Sequence, residues 1–356
     1  MKKKILLCYN YILHYRKPLF NLLAEKYELV VLHSGNKTVE ETDKYSELIF
    51  PSKEIGPFFI QKGILSEVKK QNYDYIILLF DLRWINTIIS IYSHNKNAKL
   101  ILWGAWLTNS KIANKARLYL SKKADANIFY TQKSRKDFVN MGLTDRKTYV
   151  ANNTFDVSNT IKSFENKKKN KILFVGSLNQ RKQNDILIKA FSNILSKIPD
   201  YINLIFIGDG SEKEKLKNIV VENNIEKRVF FAGRLEHVAE LESFYREAIV
   251  SVSFGQSGLS VLQSLGYGVP FLTKINSISG GEKTNIKHEV NSIFCEDSIK
   301  SLEFYLIKLC TDIEYARNLG KNAFQYYSEF CTMKNMYQGF LDAIENTNLS
   351  NIDYKE

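Results

Sequence analysis

The chain has 356 residues, 44% hydrophobic and 25% charged, with a net charge of +12. This length suits two α/β domains with cores of their own, and the composition excludes a disordered or fibrous chain. No run approaches the roughly 20 apolar residues of a membrane-spanning helix, and Cys8, Cys295, Cys310 and Cys331 are too scattered for a metal site or a disulfide framework, which suits reduced thiols in a cytosol.

The opening MKKKILLCYN has a basic start but breaks at Asn10 and offers no small-residue cleavage site, so it predicts a first strand over Lys4–Cys8 rather than a signal peptide. A loop rich in aromatic residues and free of glycine, Tyr9–His14, suits an acceptor better than a phosphate. A helix over Tyr15–Ala24 follows, with Pro18 near its start, and then a strand over Tyr27–His33. Tyr75–Phe80 is a wholly apolar strand that stops at Asp81-Leu82-Arg83-Trp84. Ligands of open parallel sheets sit at the carboxyl ends of strands, so Asp81 is a candidate cleft residue, the alternative being a cap on the helix that follows. Further strands fall at Lys99–Trp103, Ala124–Tyr130 and Lys147–Ala151. The alternation predicts a doubly wound domain over residues 1–156, and a polar, basic stretch over 157–170 reads as a linker.

The same grammar restarts at Lys171. Strands end in glycine at Gly176, Gly208 and Gly233, with helices over Asp185–Leu195, Lys213–Asn223 and His237–Arg246 between them. VSVSFGQSGLSVLQSLGYGVPF (Val250–Phe271) is a strand, a two-glycine loop, a helix stopped by Gly268 and Pro270, and the next strand. A glycine loop that delivers a strand into a helix N-terminus is an anion site, although the same glycines also serve an ordinary sharp turn. Gly280-Gly281-Glu282 makes a second tight turn, and helices over Ser298–Cys310, Ile313–Tyr327 and Thr332–Asn346 close the chain. The second domain is expected over 171–330, with a terminal helix over 331–348 crossing back to the first.

The charge is uneven. Met1–Glu165 holds 26 basic and 15 acidic residues, and Asn166–Glu356 holds 24 and 23. That asymmetry points to an anionic surface met by the first half, or to plain solubility. Neither a GxGxxG after the first strand nor a GxxxxGK[ST] occurs, so dinucleotide and P-loop chemistry lose support.

KILFVGSLNQRKQNDILIKAF, IFIGDG, FFAGRLEH, SGLSVLQSLGYGVPFL and SGGEKTNIKHEVNSIF, in this order, resemble the retaining GT-B-fold glycosyltransferases of family 4. The resemblance implies an α/β fold of two Rossmann-like, doubly wound domains facing a central cleft. It implies transfer of a sugar from a UDP- or GDP-linked donor to a glycan or lipid-linked acceptor. By motif, Arg181 and Lys182 look like the basic pair on the diphosphate, and Gly258, Leu259 and Ser260 like the helix-start amides. Arg234 looks like a neighbour of the nucleobase, and Gly281 with Glu282 like the glycine turn near the transferring sugar. The family's paired glutamates are replaced here by Gly255 and Gln263, so Gln263 is expected on the ribose through its amide, and Gln256 or Glu282 in place of the lost carboxylate. Asp81 and Glu282 are the catalytic candidates.

No metal and no cofactor beyond the nucleotide-sugar co-substrate is expected, since no clustered ligand set is present. The basic first domain is expected to rest peripherally on the cytoplasmic face of an anionic membrane, and no nucleic acid is expected, since a basic nucleic-acid binder would interleave basic and aromatic residues on one surface and have no two-domain cleft. The alternatives are a sugar-nucleotide epimerase of the same fold and a catalytically impaired relative that binds glycan or nucleotide sugar.

Overall fold

Short apolar runs separated by amphipathic stretches bury both faces of each strand, which favours parallel pairing with helices as crossovers. The computed structural model describes residues 2–157, 161–235 and 238–345. In it this pattern occurs twice, and the chain divides into one unit of Met1–Asn153 with the segment from Met333 onward, and a second of Thr154–Thr332.

The first unit runs β1 (Lys4–Cys8), α1 (Lys17–Lys26), β2 (Glu28–His33), β3 (Ser46–Ile49), β4 (Ser52–Ile55), β5 (Phe58–Gln61), α2 (Ile64–Glu67), β6 (Tyr75–Leu79), α3 (Ile85–Ser93), β7 (Lys99–Trp103), α4 (Lys111–Ser121), β8 (Ala126–Phe129), α5 (Gln132–Asn140) and β9 (Thr148–Val150). Seven strands make one parallel sheet in the order β3-β2-β1-β6-β7-β8-β9. Direction reverses at β1, so the loops after β1 and β6 diverge and leave a crevice at the carboxyl edge between them. Because successive strand residues face opposite ways, Ile5, Leu7, Ile77 and Trp103 pack under α1, while Leu6, Ile76, Leu100 and Leu102 pack under α3, α4 and α5. The antiparallel hairpin β4–β5 has no periodic signature, being half exposed.

The second unit runs β10 (Lys171–Val175), α6 (Asn184–Ile194), β11 (Asn203–Ile207), α7 (Lys213–Glu222), β12 (Val229–Gly233), α8 (Val238–Arg246), β13 (Ala248–Val252), α9 (Ser260–Gly266), β14 (Phe271–Lys274), β15 (Ile293–Cys295), α10 (Ile299–Thr311) and α11 (Ile313–Phe330). Its six strands lie in the order β12-β11-β10-β13-β14-β15, with the reversal again at the first strand. This is the strand order of doubly wound nucleotide-binding sheets.

The borders differ from those expected. Within 157–170, Val157 and Ser163 are buried in the second unit, Ser163 N donates to Tyr267 O (3.0 Å), and Phe164 meets Phe324 edge-on at 5.8 Å. Lost periodicity marks the absence of a repeating element, yet single apolar residues still dock. Thr154 Oγ1 donates to the Cys331 carbonyl, tying the chain's entry into this unit to its exit. α12 (Met333–Glu345) then belongs to the first unit, where Met336, Phe340 and Ala343 join the core beside α1. Gly339 makes that docking close, since a Cβ there would stand 2.1 Å from Val150 O.

Arg16 holds this corner together. Its guanidinium is buried, donating from Nε to Tyr9 Oη (3.1 Å) and from Nη2 to Asn153 Oδ1 (2.7 Å), and it lies 5.1 Å from the Trp103 ring. Arg16→Lys loses the fork and strands buried acceptors, so urea denaturation should show a loss of about 2–4 kcal/mol. A wild-type midpoint for the variant overturns this reading. The four cysteines are free and buried, and burial pushes the Cys295 and Cys310 thiols up to about 12, leaving them inert as thiols.

Candidate functional site

The second unit gathers its strand-end turns through backbone contacts. Gly176 N donates to Ile207 O (2.9 Å), Gly208 N to Gly233 O (2.7 Å) and Leu178 N to Asp209 O (2.9 Å). Gly208, at φ +140°, passes so close to Gly176 that a Cβ would sit 1.9 Å from its carbonyl oxygen. After β10 the polar turn makes a single 3₁₀ turn over Gln180–Lys182, followed by Gln183 in the left-handed region (φ 54°). That geometry leaves Arg181 exposed and turns Lys182 inward, to 9% exposure.

Two turns then lock together where the sheet reverses. Lys182 Nζ donates to Gln256 O (3.0 Å), and Gly255 N donates to Lys182 O (3.0 Å). Burial pushes the Lys182 ammonium down to about 8, with Arg181 adding to the effect and the Glu282 carboxylate opposing it. The loop continues through Ser257 N to Ile278 O (2.9 Å) and Ile278 N to Gly255 O (3.0 Å), which sets the Ser279–Glu282 turn beside it. Glu282 folds back on that turn, accepting from Gly280 N (3.0 Å) and Ser279 Oγ (3.2 Å), while Gly281 takes φ +123°. Among the described residues, the N–H groups of Gly258, Leu259 and Ser260 donate to no protein acceptor. A buried ammonium beside unpaired amides is chemically an anion receptor.

Not every expected residue is brought to this place. Gln263 is buried and its Oε1 accepts from Tyr245 Oη (3.4 Å), with Tyr245 stacked on Tyr267 at 4.5 Å, so its carbonyl is committed inside the α8–α9 packing. Arg234 follows β12, which lies two strands from β10 on the same sheet. A carboxylate cannot simply be placed at Gly255, because a Cβ would stand 2.3 Å from Arg181 O and 2.8 Å from Gln183 Cγ. Three amides near Lys182 were not anticipated: Asn179 Oδ1, Gln183 Oε1 and both polar atoms of Asn184 are buried without a partner. The signal was present as four amide side chains, Asn179, Gln180, Gln183 and Asn184, within six residues of a strand-end turn, SLNQRKQN.

In the first unit Asp81 follows β6, at the crevice beside β1. Its buried carboxylate takes Arg83 Nη2 (2.7 Å), Arg83 Nε (3.1 Å) and Arg83 N (3.0 Å). It therefore shapes the turn and does not cap α3, whose N-cap is Trp84. The aromatic residues nearby are partly mutual partners, Phe59 stacking on Trp84 at 5.1 Å and Tyr11 meeting Trp84 edge-on at 5.8 Å. Among the described residues no three His, Cys, Asp or Glu side chains are grouped to hold a metal ion.

Residues 158–326 match the family model described as glycosyl transferases group 1. An uncharacterized glycosyltransferase of Haemophilus influenzae is 28% identical over 250 residues, which cover 68% of this chain and 67% of that protein. The Campylobacter jejuni protein named GalNAc-alpha-(1->4)-GalNAc-alpha-(1->3)-diNAcBac-PP-undecaprenol alpha-1,4-N-acetyl-D-galactosaminyltransferase is 28% identical over 175 residues, 47% of this chain and 45% of its own length. Among solved structures, Anabaena HepE in complex with UDP superposes with a TM-score of 0.73 at 16% identity, over 97% of this chain and 100% of that one.

Proposed function

We propose, for a chain that is a GT-B-fold glycosyltransferase with residues 158–326 in glycosyl transferases group 1, that it moves a sugar from a UDP- or GDP-linked donor to a hydroxyl of a glycan or lipid-linked acceptor, with retention at the anomeric carbon. The observation that carries the donor half is the buried Lys182 ammonium locked against the Gly255–Gln256 loop, beside the unpaired amides of Gly258, Leu259 and Ser260. As the glycosyl bond breaks, negative charge grows on the leaving diphosphate, and fixed donors aimed at that charge stabilise the transition state more than the ground state. Arg181, exposed beside Lys182, adds a second cation from the solvent side, and Arg234, which follows β12 on the same sheet, is assigned to the nucleobase by its motif alone. A lipid-linked acceptor is supported by the name of the Campylobacter relative, and a UDP donor by the HepE complex. No metal is needed for this chemistry. The work belongs to surface polysaccharide or glycoconjugate synthesis at the cytoplasmic face of a membrane, on which the basic first unit rests; among the described residues no helix is long and apolar enough to cross one.

Asp81 and Glu282 are the carboxylates proposed near the reacting centre. Asp81→Asn and Glu282→Gln should each lower kcat by about 100-fold or more with the true acceptor, while leaving the nucleotide Kd within about threefold. Full turnover by either variant removes that residue from the mechanism. The reading as a whole is tested by thermal shift against UDP- and GDP-sugars. A bound donor at 100 times its Kd stabilises the fold by about 2.7 kcal/mol, and a panel in which no nucleotide sugar raises the Tm overturns the assignment.

A further inference from the structure

Between Leu82 and Ala124 the chain carries eight lysines and arginines and no aspartate or glutamate. This stretch contains α3 and α4. The strands they connect, β6, β7 and β8, follow one another in one direction, so right-handed crossovers put both helices on the same side of the sheet. Ile91 of α3 and Leu120 of α4 enter one buried core, and the Tyr92 and Tyr119 hydroxyls meet at the outer surface.

What these helices turn outward is apolar. Ile112 is 84% exposed and Tyr119 56%, with Ile89 and Tyr92 also exposed beside them. Around them stand Lys96, Lys111, Lys115, Lys122 and Lys123, all exposed, and among the described residues none of the five is paired with a carboxylate. Lys123 Nζ lies 5.1 Å from the Tyr119 ring. Unpartnered aliphatic and tyrosine side chains inside a ring of free cations match the headgroup layer of an anionic bilayer, where apolar tips enter the acyl boundary and ammonium groups meet lipid phosphate. A second copy of this chain fits poorly, because an isologous contact brings the same unpaired lysines face to face. An aliphatic centre adds nothing to contact with a nucleic-acid backbone.

We propose that the outer face of α3 and α4 is the surface by which this protein rests on an anionic membrane, with Ile112 and Tyr119 in the headgroup layer and the surrounding lysines on lipid phosphate. This names the contact face for the peripheral association proposed above and is independent of the sugar-transfer chemistry.

The full chain is co-sedimented with phosphatidylcholine vesicles and with vesicles containing about one-third phosphatidylglycerol. Binding is expected only with the anionic lipid, and it is released by salt. Replacing Lys111, Lys115, Lys122 and Lys123 together by Gln should weaken it by about 100-fold or more, and Ile112→Ser by about tenfold. The matched substitution of Lys197, Lys227, Lys300 and Lys321, exposed lysines of the second unit, should leave it unchanged. Wild-type vesicle binding by the quadruple Lys111 variant overturns the proposal, as does equal binding to neutral vesicles. A dimer that Ile112→Ser dissociates overturns it in favour of a second copy, and RNA binding lost with the same lysines overturns it in favour of a nucleic acid. UDP binding, read by calorimetry in the same samples, separates the two readings: its absence overturns the donor assignment alone, and absent vesicle binding with intact UDP binding overturns the membrane face alone.

Discussion

Lys182→Met should lose at least about 100-fold in affinity for a nucleoside diphosphate while folding at least as stably as the parent at pH 7. Both halves follow from one fact, that the ammonium is buried against a carbonyl and, among the described residues, has no carboxylate in direct contact. An anion arriving there finds a cation already stripped of water, which strengthens the pairing. The empty protein bears the opposite cost. Burial lowers the folded pKa to about 8 from 10.5, a difference of about 3 kcal/mol between the charged and neutral forms. Between those values the unfolded chain holds a proton that the folded chain has released, so stability rises with pH through this window and is lower below about 8. Donor affinity runs the other way, falling as pH rises past about 8 and the ammonium empties, although bound diphosphate shifts that midpoint upward. Calorimetric titration of UDP across roughly pH 6.5 to 9.5, about 1.5 units either side of that value, reads the binding, and urea denaturation reads the stability. Unchanged UDP affinity in Lys182→Met removes the lysine from the phosphate site.

Gly255→Glu, which supplies the carboxylate that the motif resemblance implies at this position, should damage this protein. The side chain must start from a Cβ placed 2.3 Å from the Arg181 carbonyl oxygen and 2.8 Å from Gln183 Cγ. The first of these is backbone, held by the hydrogen bond between Gly255 N and Lys182 O, so relief requires pulling apart the two turns that position Lys182. Overpacking of this kind costs about 1–3 kcal/mol, which lowers the Tm by about 2–12 °C in a unit of this size. UDP affinity falls with it. Gly255→Ala already shows most of the loss, because Cβ itself is the colliding atom. A Gly255→Glu variant with the parent's Tm and intact UDP binding shows that the turns separate freely, and sinks the claim that they are interlocked.

Arg181 and Lys182 illustrate how far the residues could be read in advance. They are adjacent and similarly charged, and nothing in SLNQRKQ distinguishes them. A single 3₁₀ turn closed by left-handed Gln183 faces one into solvent and the other into the protein. The unpaired amides of Asn179, Gln183 and Asn184 escaped notice for the same reason, since polarity in a turn reads as exposure until the turn is seen to be buried. Gln263 carries both kinds of information: its motif position points to a ribose, and folding sets its Oε1 3.4 Å from the Tyr245 hydroxyl, a contact that its position in the chain does not announce. Asp81 was legible as a strand-end residue, but its bidentate hold on Arg83, two positions along, depends on a turn that an apolar run cannot specify.

The strands and helices, the glycine turns at Gly176, Gly208 and Gly233, the excess of positive charge in the first half and the likeness to glycosyl transferases all follow from local order along the chain. Period and turn chemistry are set within a few residues, by backbone sterics and by which side chains must leave water. The reversal of strand order at β1 and β10, the capture of Val157 and Phe164 by the second unit and the burial of Lys182 came only with the folded chain. Each depends on which distant segment lies alongside, and an apolar strand carries the same pattern whichever neighbour it pairs with.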